Sequence, residues 1–438
     1  MLKINEMKAG SGFHCPHFLG GFMDFHNISN EPEKALLICA DTGDFNAEAS
    51  VNELSLLAES AGARVEGTII QRRDTPDGAT YIGKGRLCEA ELFCHNSDID
   101  LIICDGELSP SQIRNIENIT NVRVIDRTQL ILDIFALRAK SREGKLQVEL
   151  AQLKYALPRL TGKGKALSRL GGGIGTRGPG ESKLESDRRH IMRRINMLEN
   201  QLADIEKRRS LLRRRREKNG VTTVALVGYT NAGKSTLMNA LTDAGVLAED
   251  KLFATLDPTA RKLNLLNGQS VMLIDTVGFV SRLPHDLVKA FKSTLEEAAQ
   301  ADIILNVCDA SDNRCTEHIE ITTNILKELG CNSENIITVM NKCDMAENVF
   351  RILPFGKTVM ISALKGINLD LLLKEIENCC KSSIVELKFL VPFTDGSAAN
   401  EIRNSGKVTS EDFSPDGTVL TAIVPAHIAD KYKEYVIE

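Results

Sequence analysis

The sequence predicts an α/β protein in three parts. These are an N-terminal α/β domain with an antiparallel helical hairpin, a P-loop domain with a mostly parallel sheet, and a small C-terminal α/β or α+β module. Three observations carry that expectation. Apolar runs alternate with amphipathic helical stretches between Ala35 and Arg138, the pattern of a parallel, helix-covered sheet. Two leucine/isoleucine seams of heptad spacing follow, with a glycine-rich stretch between them. Then an apolar run ends in Gly228-Tyr229-Thr230-Asn231-Ala232-Gly233-Lys234-Ser235, which matches G-x-x-x-x-G-K-[ST]. The length agrees, because 438 residues exceed one core of roughly 100–200 residues and call for two to four domains.

The first elements are read as follows. Ala35 to Ala40 is a buried strand, and Asn46 to Ala61 a helix with Val51, Leu54, Leu57 and Ala58 on one face. Strands are expected at Val65–Gln71, Leu101–Cys104 and Val122–Ile125, and helices at Ser109–Ile119 and Thr128–Arg138. Tyr81-Ile82-Gly83-Lys84-Gly85-Arg86 reads as a turn before a helix rather than a phosphate loop, since a lone G-x-G is a weak signal. Residues 1–34 mix His, Gly, Asn and acids without an apolar core and read as a flexible leader. His14, Cys15 and His17 have no second ligand pair, so no metal tail is expected.

Leu146, Leu150, Leu153, Leu157 and Leu160 form one seam on a single helix. Ile191, Ile195, Leu198, Leu202, Ile205 and Leu212 form the second, with Arg209 where an apolar residue is due. Two such helices bury each other's stripe as an antiparallel pair. Thr161 to Gly180, with 8 glycines in 20 residues, becomes the tip of the hairpin. It carries Lys163, Lys165, Arg169 and Arg177. From Arg159 to Lys218 there are 18 Lys/Arg against 7 Asp/Glu, a local charge of +11 in a chain of net charge -5. Charge segregated in this way points to a directed polyanion contact. The tip has no aromatics, so shape and phosphate recognition of folded RNA fits better than stacking on a single strand.

The P-loop glycines let the backbone wrap phosphates, and the helix that follows offers its N-terminal N–H groups. Lys234 reaches the β- and γ-phosphates, and the Ser235 hydroxyl is a Mg²⁺ ligand. Val271 to Ile274 is an apolar strand delivering Asp275-Thr276-Val277-Gly278. Asp275 can hold Mg²⁺ directly or through water, and Gly278 can present its N–H to the γ-phosphate. In Phe253-Ala254-Thr255-Leu256-Asp257-Pro258-Thr259, Thr255 and Thr259 are both candidates, on chemistry alone, to complete the Mg²⁺ shell. Asn341-Lys342-Cys343-Asp344 follows a strand and resembles N-K-x-D, whose carboxylate accepts from guanine N1–H and the exocyclic amine. Ser362-Ala363-Leu364 resembles the loop whose central N–H meets guanine O6. Phe279 follows Gly278 at the place where Ras-like switches carry the glutamine that orients water. Either the water is positioned from elsewhere or a partner completes the site, and both views expect slow hydrolysis by the isolated protein.

The order of these motifs, Phe279, and the tip Gly171-Gly172-Gly173-Ile174-Gly175-Thr176-Arg177-Gly178-Pro179-Gly180-Glu181 closely resemble the HflX family, translation-factor-class GTPases of the Obg–HflX group. Tyr81 to Gly85 looks like that family's N-terminal domain. The resemblance covers roughly residues 35–380. It implies Mg²⁺-dependent GTP hydrolysis to GDP and phosphate, binding to the large ribosomal subunit, stimulation by ribosomes, and separation of stalled or idle ribosomes under stress. It assigns the Mg²⁺ threonine to Thr255 rather than Thr259. The expected catalytic residues are then Lys234, Thr255 and Gly278, and the expected Mg²⁺ ligands Ser235 and Thr255. Nucleotide contacts are expected from Gly228 through Ser235, Phe253 through Asp257, Asp275 through Gly278, Asn341 through Asp344, and Ser362 through Leu364. The chain divides into a leader (1–34), an N-terminal α/β domain (35–140), a basic helical hairpin with a Gly-rich tip (141–218), a GTPase domain (219–382) and a small C-terminal domain (383–438). In the last, strands are expected at Val385–Val391 and Val419–Val424, with a helix at Ser397–Asn404. Two rival functions are a GTP-dependent ribosome-assembly or RNA-remodelling factor and a GTP-gated scaffold for a protein partner.

Composition excludes other classes. No run of about 18 apolar residues exists, so no membrane span is expected. The eleven cysteines are scattered without a C-x-x-C pair, which favours reduced thiols in a cytoplasmic protein, expected to be a monomer.

Overall fold

The computed structural model describes residues 31–162, 179–218, 221–242, 252–253, 259–282, 300–331, 335–346, 357–380 and 384–437. Three sheets organise them.

The first sheet is parallel throughout, in the order β2-β1-β3-β4, from β1 (Lys34–Asp41), β2 (Arg64–Arg72), β3 (Leu101–Cys104) and β4 (Arg123–Asp126). Four helices connect and cover it: α1 (Ala47–Ser60), α2 (Lys84–Ser97), α3 (Pro110–Thr120) and α4 (Arg127–Arg138). Each central strand is an unbroken apolar run because both faces are covered. Local chemistry sets the helix starts. The Asn46 side chain caps α1, and Asp126 caps α4. Ser109 and Gln112 form a reciprocal capping box on α3, with Pro110 in its first turn. The expected strands and helices are all present, and Gly83 does stand before a helix. That helix, α2, was expected only as whatever follows the turn, and the structure gives its extent.

The hairpin is present but unequal. α5 (Arg142–Ala156) stops early and gives way to a 3-10 turn, Leu157–Gly162, so the expected single-helix seam ends before Leu157 and Leu160. Pro158 explains this, because its ring cannot continue an α-helix. α6 (Pro179–Lys218) runs for 40 residues. Leu150 and Leu153 pack against Ile195 and Leu198, flanked by Leu146, Leu157, Ile191 and Leu202. Arg209 pairs with Glu143 at 3.0 Å, which accounts for a charge where the seam wanted an apolar residue. Leu212 lies beyond the partner helix and is exposed.

The second sheet has the order β10-β9-β8-β5-β7-β6. Its strands are β5 (Thr223–Gly228), β6 (Thr259–Asn264), β7 (Ser270–Asp275), β8 (Ile303–Asp309), β9 (Ile336–Asn341) and β10 (Lys357–Met360). All neighbours are parallel except β6 and β7. α7 (Lys234–Leu241), α8 (Cys315–Glu328) and α9 (Leu369–Cys380) accompany it. The third sheet is antiparallel, ordered β11-β13-β12, from β11 (Ile384–Val391), β12 (Lys407–Ser414) and β13 (Gly417–Pro425). α10 (Gly396–Ser405) and α11 (Ala426–Lys431) cover one face, around Phe389, Ile402, Leu420 and Ile428. Of this part, β12 and α11 were not expected.

Candidate functional site

β5 ends at Gly228, whose φ of 147° is open to glycine and whose Cβ would strike the Val307 carbonyl. The chain then turns through Asn231 (φ 60°) and Gly233 (φ 89°) into the N-terminus of α7. Within this loop Lys234 is buried and its Nζ donates to the carbonyls of Gly228 (3.1 Å) and Tyr229 (2.9 Å). Burial pushes its ammonium down to about 8, with Asp275 acting in the opposite direction. The Ser235 hydroxyl donates to Asp275 Oδ2 at 2.9 Å, so the two oxygens expected at the cation stand together. Thr276 is tied back to the Leu226 carbonyl at 2.6 Å.

The phosphate loop and the segment after β7 are stitched by backbone bonds. Thr230 N donates to Phe279 O (2.7 Å), and Phe279 N to Gly228 O (3.0 Å). The Phe279 ring is buried among Ala225, Val227, Ile304 and Leu326. It is core, and it takes no part in orienting water. Gly278 lies so near the loop that a Cβ there would stand 2.9 Å from Lys234 Nζ. Val277 is buried beside it.

The other end of the site is built by the loops after β9 and β10. Asn341 Nδ2 donates to Ala232 O (2.9 Å), and its Oδ1 accepts from Ala363 N (2.9 Å), joining both loops to the phosphate loop. Ala363 N–H, expected to meet guanine O6, thus already donates to Asn341. Lys342 (φ 61°) pairs with Asp309 at 2.7 Å, and Asp344 with Lys365 at 3.1 Å. Hydrogen bonds from Ser362 and Lys365 hold the Asp344 carboxyl below its usual range. That keeps it an acceptor. The backbone N–H of Cys343 donates to Ile361 O, and the Leu364 side chain is 83% exposed.

A charged cluster that sequence reasoning did not anticipate joins these loops to the first sheet. Arg127 Nη2 donates to Glu53 Oε1 (2.5 Å) and Nη1 to Asp105 Oδ1 (2.8 Å), all three side chains being at most 3% exposed. Tyr229 OH donates to Glu53 Oε2 (2.5 Å) and accepts from Ser281 N (2.5 Å), and Arg127 reaches Ser281 O at 3.1 Å. Arg282 pairs with Asp105 (2.9 Å) over the Phe45 ring. Phe253 is buried, its ring edge-on against Phe135 of α4 at 4.6 Å between centroids. The only signal available was the pair of large polar residues in compact settings: Tyr229 inside a glycine loop and Arg127 before an apolar helix.

Ala254, Thr255, Leu256 and Asp257 lie outside the described residues, as do Lys163, Lys165, Arg169 and Arg177. Among the described residues no helix is long and apolar enough to cross a membrane, and no cysteine forms a disulfide.

A phosphate loop, D-x-x-G, N-K-x-D and S-A-L segments at the carboxyl ends of one mostly parallel sheet define a P-loop GTPase. Family models agree along the chain: "GTP-binding GTPase N-terminal" matches residues 48–136, "GTP-binding GTPase Middle Region" 138–216, and "50S ribosome-binding GTPase" 223–342. The GTPase HflX of Caldanaerobacter subterraneus subsp. tengcongensis is 49% identical over 412 residues, 94% of this chain and 95% of the relative. That of Lacrimispora saccharolytica is 47% identical, covering 90% and 94%. That of Escherichia coli (strain K12) is 40% identical, covering 84% and 88%. The chain belongs to the HflX family and is a GTP-hydrolysing enzyme.

Proposed function

We propose that the chain is a Mg²⁺-dependent GTP switch in the cytoplasm that binds the large ribosomal subunit as a monomer and separates stalled ribosomes under stress. The observation that carries this reading is a guanine-nucleotide constellation in the same chain as a hairpin of local charge +11. The five segments set out from the sequence are our proposed domain division.

In this reading Gly228 to Ser235 wrap the phosphates, and Lys234 leaves the carbonyls of Gly228 and Tyr229 for the β- and γ-phosphate oxygens. Gly278 turns its N–H to the γ-phosphate, which pulls on the Thr230–Phe279 stitch. Asp344, already ionised, takes the guanine N1–H and amine. The Ser235 hydroxyl and the Asp275 carboxylate are hard oxygens 2.9 Å apart. That donor set, completed by phosphate oxygens and Thr255, suits Mg²⁺, which rarely has an all-protein cage. Bound there, Mg²⁺ supplies neutralisation of charge on the β- and γ-phosphates. Lys163, Lys165, Arg169 and Arg177 meet rRNA phosphates at the hairpin tip.

Sedimentation with purified large subunits tests the ribosome assignment. Pelleting is expected with a non-hydrolysable GTP analogue and should fall at least tenfold with GDP; equal weak pelleting in both states sinks it. Neutralising Lys163 and Arg177 together should weaken pelleting and reduce the salt slope by about one per charge removed. Stimulation of hydrolysis by immature particles only would favour the assembly-factor reading instead.

A further inference from the structure

Thr230, the third residue of the phosphate loop, has a feature that its place in the fold does not explain. Its residue exposure is 6%, and its Oγ1 is buried with no hydrogen-bond partner among the described residues. Its backbone N–H is engaged by Phe279 O. A buried hydroxyl without a partner has lost its water and gained nothing in return, so folded proteins seldom keep one without a reason. Other threonines near the site show the ordinary solution: Thr276 Oγ1 donates to Leu226 O and Thr322 Oγ1 to His318 O.

The location supplies the reason. A Cβ built on Gly278 would lie 2.8 Å from Thr230 Cγ2 and 2.9 Å from Lys234 Nζ. The Cα and methyl of Thr230, the glycine of D-x-x-G and the loop ammonium therefore meet at one point, which in the GTP reading is the γ-phosphate end of the site. Phe279 has left that point, with its ring in the apolar core. Valine would fill the same volume without an unsatisfied oxygen, so the hydroxyl is the part that asks for a ligand.

We propose that Thr230 is a catalytic residue, whose hydroxyl donates to a γ-phosphate oxygen and accepts from the attacking water. The inference rests on the GTP reading above and deepens it, supplying from the phosphate loop part of the positioning that Phe279 cannot give. In the step, the water oxygen forms a bond to the γ-phosphorus. The bond from that phosphorus to the β–γ bridging oxygen breaks, its electron pair staying on GDP. The water protons end on the inorganic phosphate and solvent. Thr230 neither gains nor loses a proton overall; it fixes the water in line, which is where most of the catalysis of phosphoryl transfer lies.

The test uses the full chain with Thr230→Val and Thr230→Ser. For Thr230→Val we expect single-turnover GTP hydrolysis to fall about 10- to 100-fold. GDP affinity should stay within about twofold, affinity for a non-hydrolysable GTP analogue should fall several-fold, and the nucleotide-free Tm should hold or rise. Thr230→Ser should keep most of the rate. Wild-type turnover in Thr230→Val overturns the proposal. So does an equal loss of GDP and analogue affinity with a lower Tm, which would make the residue structural. Absence of GDP binding or hydrolysis in the unmodified chain would instead overturn the nucleotide reading itself.

Discussion

Replacing Lys234 by alanine is expected to reduce GTP hydrolysis by on the order of 10²–10³-fold, the loss typical of removing one preorganised charge donor from a transition state. The ammonium is buried and depressed by burial, and its hydrogen bonds among the described residues go to two loop carbonyls. Its environment is therefore unfavourable until an anion arrives. Phosphates restore what desolvation took away, and the developing charge on the β–γ bridge strengthens the attraction further. Single-turnover assays with equilibrium binding of fluorescent GDP would measure both effects. Unchanged turnover with intact binding would place the phosphates elsewhere. Lys234→Arg should not rescue, because a guanidinium does not fit a loop closed this tightly on Gly278.

Replacing Arg127 by methionine is expected to destabilise the protein by about 3–5 kcal/mol, the range for removing one partner of a buried ion pair. Glu53 and Asp105 are as buried as Arg127, so its loss leaves two carboxylates in a dry site. Arg282 still faces Asp105, but nothing comparable replaces the bond to Glu53 Oε1. Calorimetry should show a Tm lower by roughly 10 °C. A change below about 1 kcal/mol would mean that the cluster relaxes into solvent without cost. The neutral swap Glu53→Gln should cost less, since an amide still meets Tyr229 and Ser281 through its oxygen.

Most of the fold was legible because burial on both faces writes continuous apolar strands. Leu101 to Cys104 and Val224 to Val227 could hardly be anything else. α2 was foreseen only through the turn before it, and its extent was not, because its buried side is only Leu87, Ala90 and Cys94, too thin a stripe to stand out among charges. β12 was missed because it is an edge strand reading Lys-Val-Thr-Ser-Glu-Asp-Phe-Ser, almost wholly exposed. In the site, glycines and short motifs announced the phosphate and base loops. The Glu53–Arg127–Tyr229 cluster was illegible because its members lie 74 and 176 positions apart, and no periodicity records such a meeting. Thr230 was named from the motif alone; that its hydroxyl is unsatisfied emerges only when the loop is closed on Gly278.

The long helix α6 has a mechanical consequence. Forty residues at 1.5 Å each make a rod about 60 Å long. Its foot is close to the chemistry: Val221 N bonds Arg216 O just before β5, and Arg216 touches Met272 on β7, the strand that ends in Asp275. α5, with 15 residues, braces only part of it. A turn of about 5° at that foot sweeps the far end through about 5 Å, as simple leverage on a rod of that length. Any rotation at that foot would therefore be magnified at the Pro179 end of α6, about 60 Å away.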